Sequence, residues 1–481
     1  MEFESMRQMI NNEDNISPKK LNVLSEAFTI VELLVVIVVI GILASITIVS
    51  YTGISNKATA AALQSDLANA SKQLKLYQAA YGSFPTTMSG NCPTAPTADS
   101  AYCLKTSGNN VLAYSSNGTN FNLINTSSNG TVYVVTDITS PAYFVPHTGL
   151  LAALATPTIG SGANPMGVVV STDGTSVYTV DSGSGTISMY SRNTSTGALT
   201  ALATPTISAG VNPVGITMSV DGTSVYVVTA NANVISMYSR NTSTGALTAL
   251  ATPTIATGVN PWGIAISADG TSVYVANLSG GTISMYSRNT GTGALTALGT
   301  PTIAAGTNPV RLVVSANGTS VYAINMNSND ISMYSRNTGT GALTALATPT
   351  IAAGTSPMGI AISSDGTSVY VVNQGNYTVS MYSRNTGTGA LTALATPTIA
   401  AGTQPQGIAM SADGASVYVT NTGASTISMY SRNSGTGALT AMTTSTIATG
   451  AGPEGIAVSA DGASVYAENY SASTISMYNR N

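Results

Sequence analysis

The sequence predicts a multidomain chain in three parts: an apolar N-terminal helix able to cross a membrane, a small α+β head, and an all-β seven-bladed propeller. Three observations predict this. Residues 28–49 (FTIVELLVVIVVIGILASITIV) form an apolar run broken by one carboxylate, Glu32. Residues 63–81 carry a single apolar stripe on an otherwise polar segment, and short β-like runs follow it. From residue 150 a unit of 48 residues recurs seven times, marked by ISMY or VSMY starting at Ile187, Ile235, Ile283, Ile331, Val379, Ile427 and Ile475.

At about 1.5 Å per residue the N-terminal run reaches roughly 33 Å, enough for a hydrocarbon core of about 30 Å. Lys19 and Lys20 precede it and the next basic residue is Lys57. The positive-inside rule therefore keeps the N-terminus cytoplasmic and sends the rest of the chain outside. A carboxylate inside a bilayer costs about 2.5 kcal/mol or more and usually has a function. The segment AFTIVELLVVIVVIGILASI resembles the class III signal and N-terminal helix of type IV pilins and pseudopilins. The resemblance implies a leader over 1–27, cut by a prepilin peptidase between Ala27 and Phe28, and N-methylation of the new terminus. Residues 28–50 would then serve as the transmembrane and assembly helix. Glu32 would pair with the terminal amine of a neighbouring subunit. Ala27 stands where that family nearly always has glycine.

Residues 51–146 read as a pilin-like head. Leu63, Leu67, Ala70, Leu74, Tyr77 and Tyr81 alternate spacings of four and three, the mark of a helix that buries one face. Gly82 and Pro85 end it. Three β-like runs follow at 111–116, 120–125 and 131–136, separated by Asn117-Gly118 and Asn129-Gly130. Cys92 and Cys103 are the only cysteines. Outside the membrane they are expected to form a disulfide, with two free thiols as the alternative. Residues 147–149 form a linker.

A period in the forties with short apolar runs and strong turn signals indicates a β-propeller over 150–481. The third copy shows the four strands of a unit: ALTALATPTI, GIAIS, SVYVAN and TISMYSRN. Asp-Gly marks the turn after the second of these in six copies (Asp173, Asp221, Asp269, Asp365, Asp413 and Asp461), and Asn317-Gly318 replaces it once. These dipeptides suit a tight hairpin with positive φ. The first copy opens with GLLAALATPT at 149–158 and the last stops after TISMYNRN, so the N-terminal strand is expected to complete the seventh blade. The pattern resembles the YVTN-family and lactonase-like seven-bladed propellers; Tyr418-Val419-Thr420-Asn421 spells the name motif.

That resemblance implies sugar-lactone hydrolysis, yet composition argues against it. Charged residues are 7 % of the 481, against about 25 % in an ordinary domain. Net charge is −4, so no basic surface for nucleic acid is expected. One histidine, His147, and two cysteines leave no metal cluster, and no motif calls for a cofactor. Residues 150–481 hold no lysine, histidine or cysteine. Their eight arginines are Arg311 and seven copies of one residue in the SRN segment, read as turn structure. Glu454 and Glu468 form the sole plausible acid–base pair, and the expectation is that the chain is not an enzyme.

Comparing the copies places the exceptions in a few columns. Met166, Val214, Trp262, Val310, Met358, Gln406 and Glu454 are equivalent, and Arg311 replaces a glycine found in six copies. Trp262, Arg311, Tyr377, Glu454, Glu468 and Tyr470 are expected on one face, as a ligand surface for a glycan or a surface protein. The resulting expectation is a minor or tip pilin displaying a propeller for adhesion or partner binding. Its partners would be other pilin subunits and the membrane, with the propeller outside the cell. The alternative is a membrane-retained pseudopilin whose propeller is a lactonase-like hydrolase.

Overall fold

The computed structural model describes residues 62–481, except 64, 108–109, 117–120, 127–131, 137–141 and 145–147. Ala27, Phe28, Glu32 and the apolar run 28–50 lie outside the described residues. Among the described residues no helix is long and apolar enough to cross a membrane.

The head begins with a helix that runs to residue 81. Leu63, Leu67, Ala70, Leu74 and Tyr77 are buried, as their spacing requires. Tyr81 departs from the stripe. It is exposed, and its hydroxyl donates to the Asp99 carboxylate at 2.8 Å. An antiparallel sheet follows in the order Val111–Ser116, Phe121–Thr126, Val132–Thr136, Ala142–Phe144. The last of these strands has no counterpart among the expected runs. Asn125, fully buried in the sheet, donates to the Leu63 carbonyl and the Asp66 carboxylate of the helix. Cys92 and Cys103 form a disulfide, closing the segment between the short strand Cys92–Ala95 and the 3-10 turn Ser100–Tyr102.

The propeller consists of seven four-stranded antiparallel sheets. In blade 1 strand a is Pro165–Val170, strand b Ser176–Asp181, strand c Thr186–Arg192 and strand d Leu199–Ser208. The other blades repeat this at intervals of 48 residues. Strand b is buried at every position, because its two faces lie against neighbouring blades. Strand d is mostly exposed and carries a mid-strand proline in most blades, which blunts an outer edge that could otherwise pair with another chain.

The ring closes as the circular order of strands requires. Leu151–Gly160 pairs antiparallel with Thr474–Arg480, Ile159 opposite Ile475 and Leu151 opposite Arg480. It thereby becomes strand d of blade 7. The Asp-Gly turns differ from the expected hairpin in one respect: only the glycine takes positive φ, near +70° in Gly174. The aspartate acts through its side chain instead. Asp173 Oδ1 accepts from Ser171 Oγ, from the Thr175 N–H and from Thr175 Oγ1.

The repeated arginine is the larger surprise. It is the last residue of strand c, buried, and ties each blade to the one before it. Arg240 Nε donates to Tyr178 Oη at 2.9 Å, and its terminal nitrogens bond Asp173, Thr175 Oγ1 and Ser176 Oγ. Tyr178 in turn donates to the Gly245 carbonyl at 2.6 Å. Six such boundaries contain an arginine–aspartate ion pair, and at the seventh Arg384 meets Asn317. The ring-closing boundary between blades 7 and 1 uses Arg192 with Tyr466 and Asp461.

Candidate active site in the central channel

Inner strands a line the channel, and a glycine column sets how closely they approach. It runs Gly167, Gly215, Gly263, Arg311, Gly359, Gly407, Gly455. A Cβ at Gly263 would meet the Val310 carbonyl oxygen at 2.6 Å, so adjacent strands touch backbone to backbone. Arg311 is the exception in blade 4, and its side chain lines the cavity at the channel's centre. That cavity measures about 140 Å³ and is otherwise bounded by Trp262, glycines and aliphatic residues such as Ile264, Leu312 and Ile456. Trp262 also packs against the core between blades 2 and 3 and the core between blades 4 and 5.

Blade 7 stands nearly opposite blade 4 in a ring of seven, and it supplies both carboxyl groups. Glu454 is half-buried, next to Gly455 in strand a. Burial pushes its carboxyl up, while the Arg311 charge and the Gln406 side chain pull it partly back. Glu468 lies inside strand b and is fully buried. Its Oε1 accepts from the Gly455 N–H at 2.6 Å, and its Oε2 has no hydrogen-bond partner in the protein. Burial raises this carboxyl to about 8, with Arg311 opposing and the Glu454 charge adding to the rise. Only glycine fits at 455, because a Cβ there would run into the Glu468 carboxyl. Arg311 Nε is also buried without a partner. The six ion pairs among the described residues all belong to blade boundaries, and Arg311 is in none of them.

The structure therefore places Trp262 and Arg311 in the lining of the cavity and brings Glu454 and Glu468 within reach of the Arg311 charge. Glu468 is fully buried behind the Gly455 backbone, not on an exposed face. Tyr377 and Tyr470 stay apart on the turns joining strands b and c. Tyr377 is 43 % exposed at φ +55°, and the Tyr470 N–H is bonded to the Gly452 carbonyl. Three blade 6 residues support the site without having been singled out for it. Thr420 Oγ1 accepts from the Gly407 N–H and donates to the Glu454 carbonyl at 2.6 Å; Thr422 Oγ1 donates to the Pro453 carbonyl. Together they fix the backbone that carries Glu454, and Gln406 adjoins its carboxyl. The signal was available in one column. Val180, Val228, Ala276, Ile324, Val372, Thr420 and Glu468 are equivalent, and the two polar members flank the site. Among the described residues no cluster of three or more His, Cys, Asp or Glu side chains comes together to hold a metal ion.

Comparison with solved structures places the fold among known propellers. A proposed 6-phosphogluconolactonase of Bacteroides fragilis aligns with a TM-score of 0.55 at 19 % identity, over 72 % of this chain and 96 % of that one. The periplasmic gluconolactonase of Pseudomonas aeruginosa gives 0.52 at 16 %, over 69 % and 93 %. The hydrazine synthase of Kuenenia stuttgartiensis gives 0.51 at 18 %, over 69 % and 98 %. At these identities the likeness is one of fold. No curated protein matches the chain.

The family model described as lactonase, 7-bladed beta-propeller, matches residues 168–356, 300–405 and 346–481. This overturns the expectation that the chain is not an enzyme, since the family points to hydrolase activity. The expectation rested on counting acid–base groups along the sequence. A closed ring defeats such a count, because it gathers a few groups from distant blades into one channel. The matched stretches begin at 168, so the pilin resemblance of the N-terminal part draws no support from them. From residue 168 to its last strand, the chain belongs to the seven-bladed β-propeller lactonase family.

Proposed function

We propose that the propeller hydrolyses a lactone at the channel, between Arg311 and Glu454. The observation that carries this reading is a lone guanidinium, Arg311, in a cavity with no other charged lining residue, near enough to the half-buried Glu454 for its charge to act on that carboxyl. Arg311 donates to the lactone carbonyl oxygen and stabilises the oxyanion that forms as water adds to the carbon. Glu454 takes the proton from that water; burial brings its basicity nearer to working pH than that of a free carboxylate. The ring C–O bond then breaks, and the departing alkoxide takes the proton back from Glu454. The product is the open hydroxy acid. Glu468 does not touch the substrate in this scheme. It acts through the Gly455 backbone, whose N–H it holds.

The test is turnover of a panel of five- and six-membered lactones, followed by acid release. Glu454→Gln is expected to lower kcat by about 100-fold or more, in the range for loss of a general base. Arg311→Met should cost a similar factor, as removal of an oxyanion donor does. A wild-type chain that leaves the whole panel at its background rate overturns the reading.

The finer part of the proposal is display at the cell surface by a pilin-like N-terminal segment, at or near a filament tip. The support is the sequence around Ala27, Phe28 and Glu32. Glu32→Ala and Phe28→Asp should each leave the protein in the membrane fraction and absent from sheared filaments. Incorporation of both variants at the wild-type level removes this part.

A further inference from the structure

The arginines of the propeller divide into two groups, and the division bears on what the channel can bind. Seven of the eight are buried at blade boundaries, with their nitrogens spent on tyrosine, serine, threonine and aspartate or asparagine partners. Arg311 alone lines the channel, and both nearby titratable groups, Glu454 and Glu468, are acidic. Residues 150–481 contain no lysine or histidine that could reach in. Every regular element of the propeller is a strand, so no helix N-terminus points at the channel either. A phosphate dianion is held by clusters of arginine or lysine, or by converging backbone N–H groups. No such arginine or lysine cluster lines the cavity, and the Glu454 carboxylate would repel a phosphate.

We infer that the channel takes an uncharged lactone ring and discriminates against the phosphorylated form. This rests on the hydrolase reading for the reaction, but the charge argument concerns binding alone. Trp262 gives the ring an aromatic surface at the edge of the cavity, and Arg311 supplies one strong donor for one carbonyl oxygen.

Trp262 is the only tryptophan of the chain, so its fluorescence reads channel occupancy directly. The probes are gluconolactam, an uncharged ring that is not hydrolysed as a lactone is, and its 6-phosphate, titrated into the full chain in detergent. Gluconolactam is expected to change Trp262 emission saturably and to bind at least about tenfold more tightly than the phosphate at low salt. That ratio should shrink several-fold at about 1 M salt, where the Debye length falls to about 3 Å. It should also shrink in Glu454→Gln, which removes the repelling charge and keeps the shape. Equal or tighter binding of the phosphate overturns the inference, as does emission unmoved by either probe. A ratio that ignores both salt and Glu454→Gln also overturns it, since size and not charge would then be responsible. Binding of gluconolactam without turnover of any lactone supports the uncharged-ring site and removes the hydrolase reading instead.

Discussion

A chain from which residues 149–160 are deleted is expected to lose the folded propeller as a whole, not merely one strand. The deletion strips blade 7 of strand d and leaves Thr474–Arg480 as a bare, unprotected edge. It also breaks the boundary between blades 6 and 7. Tyr418 loses the Gly149 carbonyl to which its hydroxyl donates, and Leu151 leaves a cluster containing Tyr418, Ile427, Met429 and Val465. A ring resists this damage poorly, because each blade buries its strands only against its two neighbours. Circular dichroism with light scattering should show no cooperative melting and concentration-dependent aggregation. The decisive control moves the strand without removing it. Gly149 N–H already donates to the Asn481 carbonyl at 2.8 Å, so the two ends meet. A chain with 149–160 moved behind Asn481, joined by the NTSTGA turn of blade 1, should recover cooperative melting. A deleted chain that melts like the wild type removes the closure argument.

Much of this architecture is readable from residues because a propeller repeats one local rule. TISMYSRN and SVYVAN are short β-branched and aromatic runs bounded by turn residues, and seven copies make the period unmistakable. Closure was readable too, since the repeat region opens at 149–158 on the strand type that its last copy lacks. What could not be read is any pairing that crosses a blade boundary. Arg240 and Asp173 are 67 residues apart. The arginine column is constant, and the aspartate column changes once, at Asn317, with no matching change in the arginine, so nothing in the variation between copies links them. The arginine therefore looked like part of a turn, and the aspartate like hairpin chemistry alone. The channel posed the same difficulty in reverse. Arg311 and Glu454 stood out as exceptions, but their meeting depends on ring geometry, which puts blade 4 across from blade 7. Glu468 was assigned to the wrong surface for a simple reason: a charged residue in a variable column suggests solvent, whereas this one fills the space left by Gly455.

The blade boundaries also set how the fold responds to acid. Asp173, Asp221, Asp269, Asp365, Asp413 and Asp461 are all held below the ordinary carboxylate range. Burial pushes each one up, but bonds from a serine hydroxyl, a backbone N–H and the arginine of the next blade outweigh it; Asp269 comes down to about 2. A carboxyl whose folded pKa lies below its unfolded value of about 3.9 stabilises the fold above that value. The contribution is lost as pH falls through the folded pKa, so the propeller should weaken steeply between about pH 4 and pH 2. Arg240→Met should cost about 2–4 kcal/mol at neutral pH, because it strips five partners from a buried guanidinium site. Asp173→Asn should cost only about 1 kcal/mol. The protein already contains that arrangement, with Arg384 bonded to Asn317 Oδ1 at 3.2 Å. Asn317→Asp reverses the comparison: it would supply the seventh ion pair, raising the urea midpoint at pH 7 and steepening the acid loss. Midpoints measured at pH 7, 4 and 3 decide the matter. If Asn317→Asp gains nothing at pH 7, or Arg240→Met keeps the wild-type acid slope, the charged boundary is not what holds the blades together.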